Sequence, residues 1–419
     1  MAARRVFMVG GAHTRFIGKG HPDFIWKRHP DFGTRENPTL REHLTQAVAA
    51  ASETSGVAPD RVDRAYVGNF VGELFVNQGH LGAALAGAHP DLAGKPAMRV
   101  EGACASGGLA LSCGVDAIRG GADTVLVAGV EVQTTASARQ GGDYLARAAD
   151  YERQRGIDDF TFPALFAART RAYRNAHGLT EAQLGHVAVK AYDNANRNPL
   201  AHMSARKMTL DFASAASDKN AQFLQNQDLK PYMKVTDCSQ VSDGASALYL
   251  VSEDGLRSLG LSESDAIEVA GLGVSTASLY DDGDPLVLET TATAAERAYA
   301  AAGVAADQVQ VAEVHDCFTI TELLMMEALG LAQPGQAVDL VIDGATGIDG
   351  TVPINTGGGL VGFGHPVGAT GVKQVVEIWR QLKGRCGDYQ IPGSPQLGLT
   401  ANMGGDDKTA VVGVFRNLG

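Results

Sequence analysis

The stretch ASETSGVAPDRVDRAYVG (residues 51–68) returns later in the chain as AYAAAGVAADQVQVAEVH (298–315), with Gly56 answering Gly303 and Asp60 answering Asp307. Helix end, turn and strand follow in the same order in both. Upstream of each copy, VFMVGGAHT (6–14) and IEVAGLGVS (267–275) read as a first strand running into a glycine turn. The chain is therefore read as two copies of one unit. Each copy runs strand, helix, strand, a glycine turn carrying a reactive segment, helix, strand, and TVLVAG (124–129) is the last of these strands in the first copy. Alternation of strands and helices implies a parallel sheet covered on both faces, and continuous Val/Leu runs mark strands buried on both sides.

Working outward, the glycine turn of the first copy is VEGACASGGLAL (100–111), which sets one thiol, Cys104, among small residues just before a helical pattern. Glycine and alanine let the backbone bend sharply. A cysteine on the first turn of a helix faces unpaired amides and the positive end of the dipole, both of which favour thiolate. Two further segments bring imidazole and thiol to turns: VHDCF (314–318), with His315 and Cys317, and NTGGGLVGFGHPVGATG (355–371), with His365. His315 and Cys317 are two apart and so face the same side of an extended segment. In the helix after Cys104, Leu109, Cys113, Asp116 and Ala117 share one face, which makes Cys113 a core thiol. Cys386 is read the same way, and His21, His29, His89 and His177 as loop residues at the surface.

Composition narrows the function. At 419 residues the chain exceeds one core, and 51 glycines imply many tight turns and close backbone approaches. Five cysteines are an odd number in a large chain, which argues against a disulfide framework. No C-x-x-C or H-E-x-x-H spacing calls for a metal. A net charge of −12 speaks against nucleic acid. No apolar run reaches 18 residues, and the N-terminal stretch (1–10) leads straight into a strand pattern, so neither membrane insertion nor a signal peptide is expected. Residues 131–235 have no counterpart in the second copy and are richer in Arg, Lys, Asn and Asp; they read as an insertion covering a cleft.

Taken together, these motifs resemble the thiolases end to end. HDCF (315–318) resembles the sterol-carrier-protein type, in which it replaces the Asn-Glu-Ala-Phe of other thiolases; Cys104 matches the acyl-accepting cysteine and Gly364-His365-Pro366 the histidine motif. The resemblance implies an α/β thiolase fold, with duplicated five-layered α-β-α-β-α halves and an inserted loop domain. The expected boundaries are 1–130 with 236–265 for the N-terminal half, 131–235 for the loop domain and 266–419 for the C-terminal half. It also implies cleavage of 3-ketoacyl-CoA by coenzyme A, or the reverse condensation, through an acyl-cysteine. Coenzyme A is then a substrate, and no resident cofactor is expected. Cys104 is the implied nucleophile, Cys317 the acid/base thiol, and His315 and His365 the partners of the enolate oxygen. The backbone amides of Cys104 and Gly404 are the implied donors to the tetrahedral intermediate, and Ser239 resembles a pantetheine-contacting serine. The lipid-transfer domain of the sterol-carrier type is not expected.

One segment departs from the pattern. Where most thiolases carry a second cysteine in a Cys-x-Gly-Gly-Gly loop, this chain reads TANMGGDDK (400–408), with Asn402 at the cysteine's place. The sterol-carrier type also lacks that thiol. Asp406, Asp407 and Lys408 are expected to point outward or to pair with each other or with a neighbouring chain, because an unpaired carboxylate beside Cys104 would suppress thiolate. Arg197, Arg206, Lys207, Lys219, Lys230 and Lys234 are candidates for the nucleotide phosphates of coenzyme A. The remaining expectations are a homodimer or homotetramer and a cytoplasmic location. The alternatives are a ketoacyl-synthase-like condensing enzyme of the same fold, or a non-catalytic acyl-CoA-binding subunit that depends on a partner.

Overall fold

The computed structural model describes residues 4–419; Met1–Ala3, at the start of the N-terminal stretch discussed above, lie outside the described residues. Among these, nine strands form one sheet: β1 (Phe7–His13), β2 (Arg64–Gly68), β3 (Ala97–Val100), β4 (Thr124–Glu131), β5 (Gly244–Val251), β6 (Ile267–Thr276), β7 (Val311–Glu313), β8 (Leu397–Gly404) and β9 (Thr409–Asn417). Their order is β3-β2-β4-β5-β1-β6-β9-β8-β7. The two halves of that order are joined where Phe7 and Met8 of β1 pair with Glu268 and Ile267 of β6 and Val269 N donates to Val6 O at 2.9 Å.

The duplication is visible element by element. The helix Leu40–Ser55 opens on a capping box between Thr39 and Glu42 and ends at left-handed Gly56; the helix Glu289–Ala302 ends at left-handed Gly303. The glycines that revealed the repeat are thus equivalent caps, a position that asks for φ near +70° and so for glycine. Both first strands carry an irregularity in register at matching places, between Met8 and Gly10 and between Val269 and Gly271. Strand β3 is answered only by Ile354, a single bridging residue beside Ala312 of β7.

The sheet is mixed where strand–helix alternation alone implied a parallel one. Strands β2, β3 and β4 run parallel, but β5 is antiparallel to both β4 and β1, and β9 to both β6 and β8. The cause is the last strand of each copy. β9 returns from β8 by a tight hairpin, which makes the pair antiparallel, and β5 comes back after more than a hundred residues, a connection long enough to enter the sheet in either direction.

Five layers result from the two halves jointly, each half contributing helix, sheet and helix. The helix Leu40–Ser55 covers β1 and β5 on one outer face, and Glu289–Ala302 covers β6 and β9 on the other. Between the two half-sheets lie the helices Ser106–Arg119 and Thr370–Leu382, packed on each other. Every residue of the second except Arg380 is buried, as a helix with sheet on two sides must be. Its buried charged residues are paired inside: Lys373 Nζ lies 2.7 Å from Glu313, and Glu377 lies 2.9 Å from His13. Residues between β4 and β5 include the long helices Thr161–His177 and Glu181–Ala195, and Phe166 of the first stacks on Phe318 at 4.7 Å. This cover reaches the VHDCF segment.

Candidate active site

Cys104 sits in a short 3₁₀ turn, Ala103–Ala105, at the start of the helix Ser106–Arg119. The preceding Ala103 is left-handed at φ 53°, a conformation that costs a non-glycine residue about 1–3 kcal/mol. Three local bonds hold it. Glu101 Oε1 accepts from Ala103 N at 2.6 Å, Ser106 Oγ accepts from Gly102 N at 3.0 Å, and the same hydroxyl donates to Ala103 O at 2.6 Å. The tip of β8 lies directly beside this elbow: a Cβ on Gly404 would fall 2.2 Å from Gly102 O. Gly404 is therefore a close-approach glycine. The amides of Gly405, next along from the expected oxyanion donor Gly404, and of Cys104 itself favour the ionised form of the Cys104 thiol.

Burial changes the expected charge of this thiol. It pushes the Cys104 pKa up to about 12, and the amides of Gly405 and Cys104 offset only part of that rise. Burial outweighs the backbone amides at the helix start in setting the charge of this thiol.

Convergence of the three motifs is direct. One ligand-type atom each from Cys104, His315 and His365 lie within 4.8 Å of one another, and the two rings meet edge to face at 5.1 Å. His365 is neutral, its pKa lowered to about 3 by burial, and that of His315 is driven well below its ordinary value by burial and then by His365. His365 Nδ1 lies 2.6 Å from Thr370 Oγ, which itself donates to Pro366 O at 3.1 Å. With its hydrogen committed, Thr370 accepts from Nδ1–H, leaving His365 Nε2 as a bare acceptor. The main chain of His365 is clamped by Gln133 Nε2 on its carbonyl at 2.7 Å and by Gln240 O and Ser242 Oγ on its amide.

Cys317 is buried, with its thiol 3.6 Å from Thr321 Oγ. Burial raises its pKa well above the ordinary value, and Cys104 is the next cause. Asp316 points the other way and accepts from the amides of Leu360 (2.6 Å) and Val361 (3.3 Å), tying VHDCF to the glycine loop of His365. Ser239 is half-buried, and its amide donates to Cys317 O at 2.9 Å. Of the basic residues, Lys234 is buried and paired with Asp237 and Glu181, so it faces no phosphate. Arg197, Arg206, Lys207 and Lys219 are exposed, and Lys230 is half-buried.

Contrary to expectation, the charged loop after Gly404 neither points outward nor pairs within itself but is held by other segments of the same chain. Asp406 pairs with Arg169 at 2.6 Å, and Arg169 also holds the carbonyls of Asp284, Pro285 and Val287. Asp407 is buried and accepts from Thr290 N (2.8 Å), Thr291 N (3.1 Å) and Thr291 Oγ (2.6 Å), capping the helix Glu289–Ala302; Lys408 donates to Asp281 O. A helix N-terminus left four amides to satisfy, and this loop supplies the acceptor. His21 is also buried, accepting from Asp23 N, and is not a surface residue. Thr370 and Asn402, in contact with the reactive groups, and Ser106, which holds the turn before Cys104, carry no role in the sequence analysis.

Comparison with known proteins gives matches along almost the whole chain. Residues 30–254 match the family model "Thiolase, N-terminal domain", and residues 271–417 match "Thiolase C-terminal domain-like". An acetyl-CoA acetyltransferase of Methanothermobacter thermautotrophicus is 35% identical over 378 residues, covering 90% of this chain and 94% of that protein. Sterol carrier protein 2 of Homo sapiens is 28% identical over 415 residues, covering 96% of this chain and 70% of that protein. Among solved structures, the Ltp2-ChsH2(DUF35) aldolase superposes with a TM-score of 0.76 at 21% identity, over 99% of this chain and 98% of that one. The Acat5 thiolase of Ascaris suum in complex with coenzyme A gives 0.71 at 16% identity, over 99% and 100%. At these identities the structures speak for the fold alone.

Proposed function

The chain belongs to the thiolase family, and from that premise we propose that it cleaves 3-ketoacyl-CoA with coenzyme A, or runs the reverse Claisen condensation, through an acyl group on Cys104. The observation that carries the proposal is the meeting of Cys104, His315 and His365 within 4.8 Å, with Cys317 two residues from His315 on the same segment.

In the cleavage direction, Cys104 sulfur attacks the C3 ketone while His365 Nε2 takes the thiol proton. The alkoxide that forms is stabilised by the amide of Cys104 and by that of Gly404 at the tip of β8, which packs directly against the Cys104 turn. Collapse breaks C2–C3, and the electron pair leaves as the acetyl-CoA enolate, its oxygen facing His315. Cys317 gives its proton to that carbon. Acyl-Cys104, an imidazolium and a Cys317 thiolate remain. Coenzyme A then loses its thiol proton to Cys317 and attacks the acyl carbon, and the departing Cys104 sulfur recovers its proton from His365. Every group is restored. A thiol at Cys317 is what distinguishes this sequence from a decarboxylating synthase, in which loss of carbon dioxide generates the carbanion without a base. A homodimer would pair through β3, an edge strand of the sheet whose Met98 is 47% exposed.

The purified chain alone, supplied with acetoacetyl-CoA and coenzyme A, is expected to give acetyl-CoA, and intact-protein mass spectrometry should find an acetyl adduct that Cys104→Ala abolishes. Absence of both turnover and adduct would reject the proposal in favour of a subunit that depends on a partner. Kinetics across a 3-ketoacyl-CoA length series then defines the acyl tail.

A further inference from the structure

Asn402 stands where most thiolases carry their second cysteine, and its amide makes three contacts. Oδ1 accepts from Gly108 N at 3.0 Å, while Nδ2 donates to Cys104 O at 3.0 Å and meets His315 Nδ1 at 3.2 Å. The orientation is not reversible. Turned over, the amide would set its oxygen against the Cys104 carbonyl and its NH₂ against the Gly108 amide, two like-with-like contacts. The protein is also built tightly around it: a Cβ on Gly371 would fall 2.2 Å from Oδ1, and one on Gly108 2.8 Å. Side chain and surroundings agree on one amide orientation.

We infer that Asn402 is a positioning residue that holds His315 as the tautomer protonated on Nε2, and thereby also keeps metal ions off the Cys104–His315–His365 cluster. An amide NH₂ can only donate, so His315 Nδ1 must present its lone pair and the ring hydrogen must sit on Nε2. Thr370 imposes the opposite state on His365, with Nδ1 protonated and Nε2 bare. Two neighbouring rings are thus assigned opposite tasks by their second contacts. One accepts a proton from sulfur; the other offers a hydrogen to an oxygen that gains charge. The use of that hydrogen by an enolate rests on the function proposed above, whereas the tautomer follows from the contacts alone.

The exclusion of metal follows from the same geometry. One thiol and two imidazoles within 4.8 Å form a donor set that suits zinc. A ligating histidine normally donates its other N–H to an acceptor. His365 has such an acceptor in Thr370. His315 does not, because Asn402 offers it a donor, so binding through Nε2 would force two N–H groups together.

The test is ¹⁵N NMR of histidine-labelled intact enzyme without substrate, with His315→Gln and His365→Gln used to assign the two rings. His315 should show a protonated Nε2 and His365 a protonated Nδ1. A His315 protonated on Nδ1 overturns the inference, whatever the turnover. In Asn402→Asp a carboxylate oxygen accepts from Nδ1, so the His315 tautomer should reverse and micromolar zinc, harmless to the wild type, should inhibit reversibly. Thiolysis should fall about 10²–10³-fold, the usual scale for one oxyanion donor. Exchange of an acyl group between Cys104 and coenzyme A, which forms no enolate, should fall less than thiolysis. An unchanged tautomer in that variant, or zinc inhibition equal to that of the wild type, refutes the inference; if the variant does not fold, the wild-type spectrum decides. Correct tautomers without any turnover would instead count against the function proposed above.

Discussion

The reactivity of Cys104 should rise steadily with pH across the whole neutral and mildly alkaline range. With the pKa at about 12, roughly one thiol in 10⁴ is ionised at pH 8, against about a quarter for an ordinary cysteine. A more basic thiolate is intrinsically more nucleophilic, with a Brønsted slope of about 0.4–0.5, which recovers part of the deficit. The net expectation is alkylation by iodoacetamide on the order of 10²-fold slower than a free thiol at pH 8, climbing about tenfold per pH unit up to pH 10. The assay is peptide-resolved mass spectrometry of alkylated protein, with Cys104→Ala as blank and half-buried Cys113 as internal reference. A helix N-terminus or a charged imidazole acting alone would give a different curve, flat above an inflection near pH 6–7. Such a plateau would refute the claim that burial outweighs the amides, and with it the neutral resting pair of Cys104 and His365.

Cys317→Ala should still accept an acyl group on Cys104 from acyl-CoA, while thiolysis and condensation both fall by about 10²–10⁴-fold, the range for a positioned acid/base; near-normal turnover removes Cys317 from the mechanism. Thr370→Val strips the acceptor from His365 Nδ1, leaving a buried N–H unpaired at a cost of about 1–3 kcal/mol, or about 5- to 150-fold in rate if it falls on the transition state. Thr370→Ser, which keeps the hydroxyl, should restore most of the activity. Asp407→Ala should lower stability to denaturant by about 1–2 kcal/mol through the lost cap, without altering the Cys104 alkylation profile. Burial raises the Asp407 pKa to about 6, so its contribution to stability is full below its unfolded value near 4 and is lost as pH rises through about 6. The penalty for Asp407→Ala should accordingly be larger at pH 4.5 than at pH 8.

What was legible in the sequence was what is local. Gly56 and Gly303 announced two equivalent helix ends because a left-handed cap selects glycine whatever surrounds it. The direction of β5 was not legible, since nothing in its own residues says from which side the chain returns to β4. The reactive residues announced themselves by type and by motif, but the groups that tune them did not. His315 and Asn402 are 87 residues apart, and small polar side chains such as Asn402 and Ser106 serve many purposes in any chain. Thr370 was closer to detection, five residues after His365 at the start of a helix, where a side chain can fold back on the preceding loop. Asp407 misled for a related reason: a carboxylate read in isolation belongs in water, and only the unsatisfied amides of the helix Glu289–Ala302 give it a place inside.

Taken as a set, the reacting groups carry no charge at rest: both thiols have raised pKa values and both imidazoles lowered ones, and in all four burial is the first cause. Such a site forgoes the standing thiolate that many cysteine enzymes use. What it gains is contrast. The reaction creates an alkoxide at C3 and then an enolate at the acetyl oxygen, and each new charge appears where a donor already points, in surroundings that weaken Coulomb attraction far less than water does. A permanent thiolate would engage those donors before substrate arrived and stabilise the ground state with them. Burial therefore opposes ionisation of Cys104 and strengthens the response to charge formed during turnover by the same physics. That dependence explains why the fixed second contacts matter so much here: with no resting charge to orient the rings, Thr370 and Asn402 decide which nitrogen accepts and which donates.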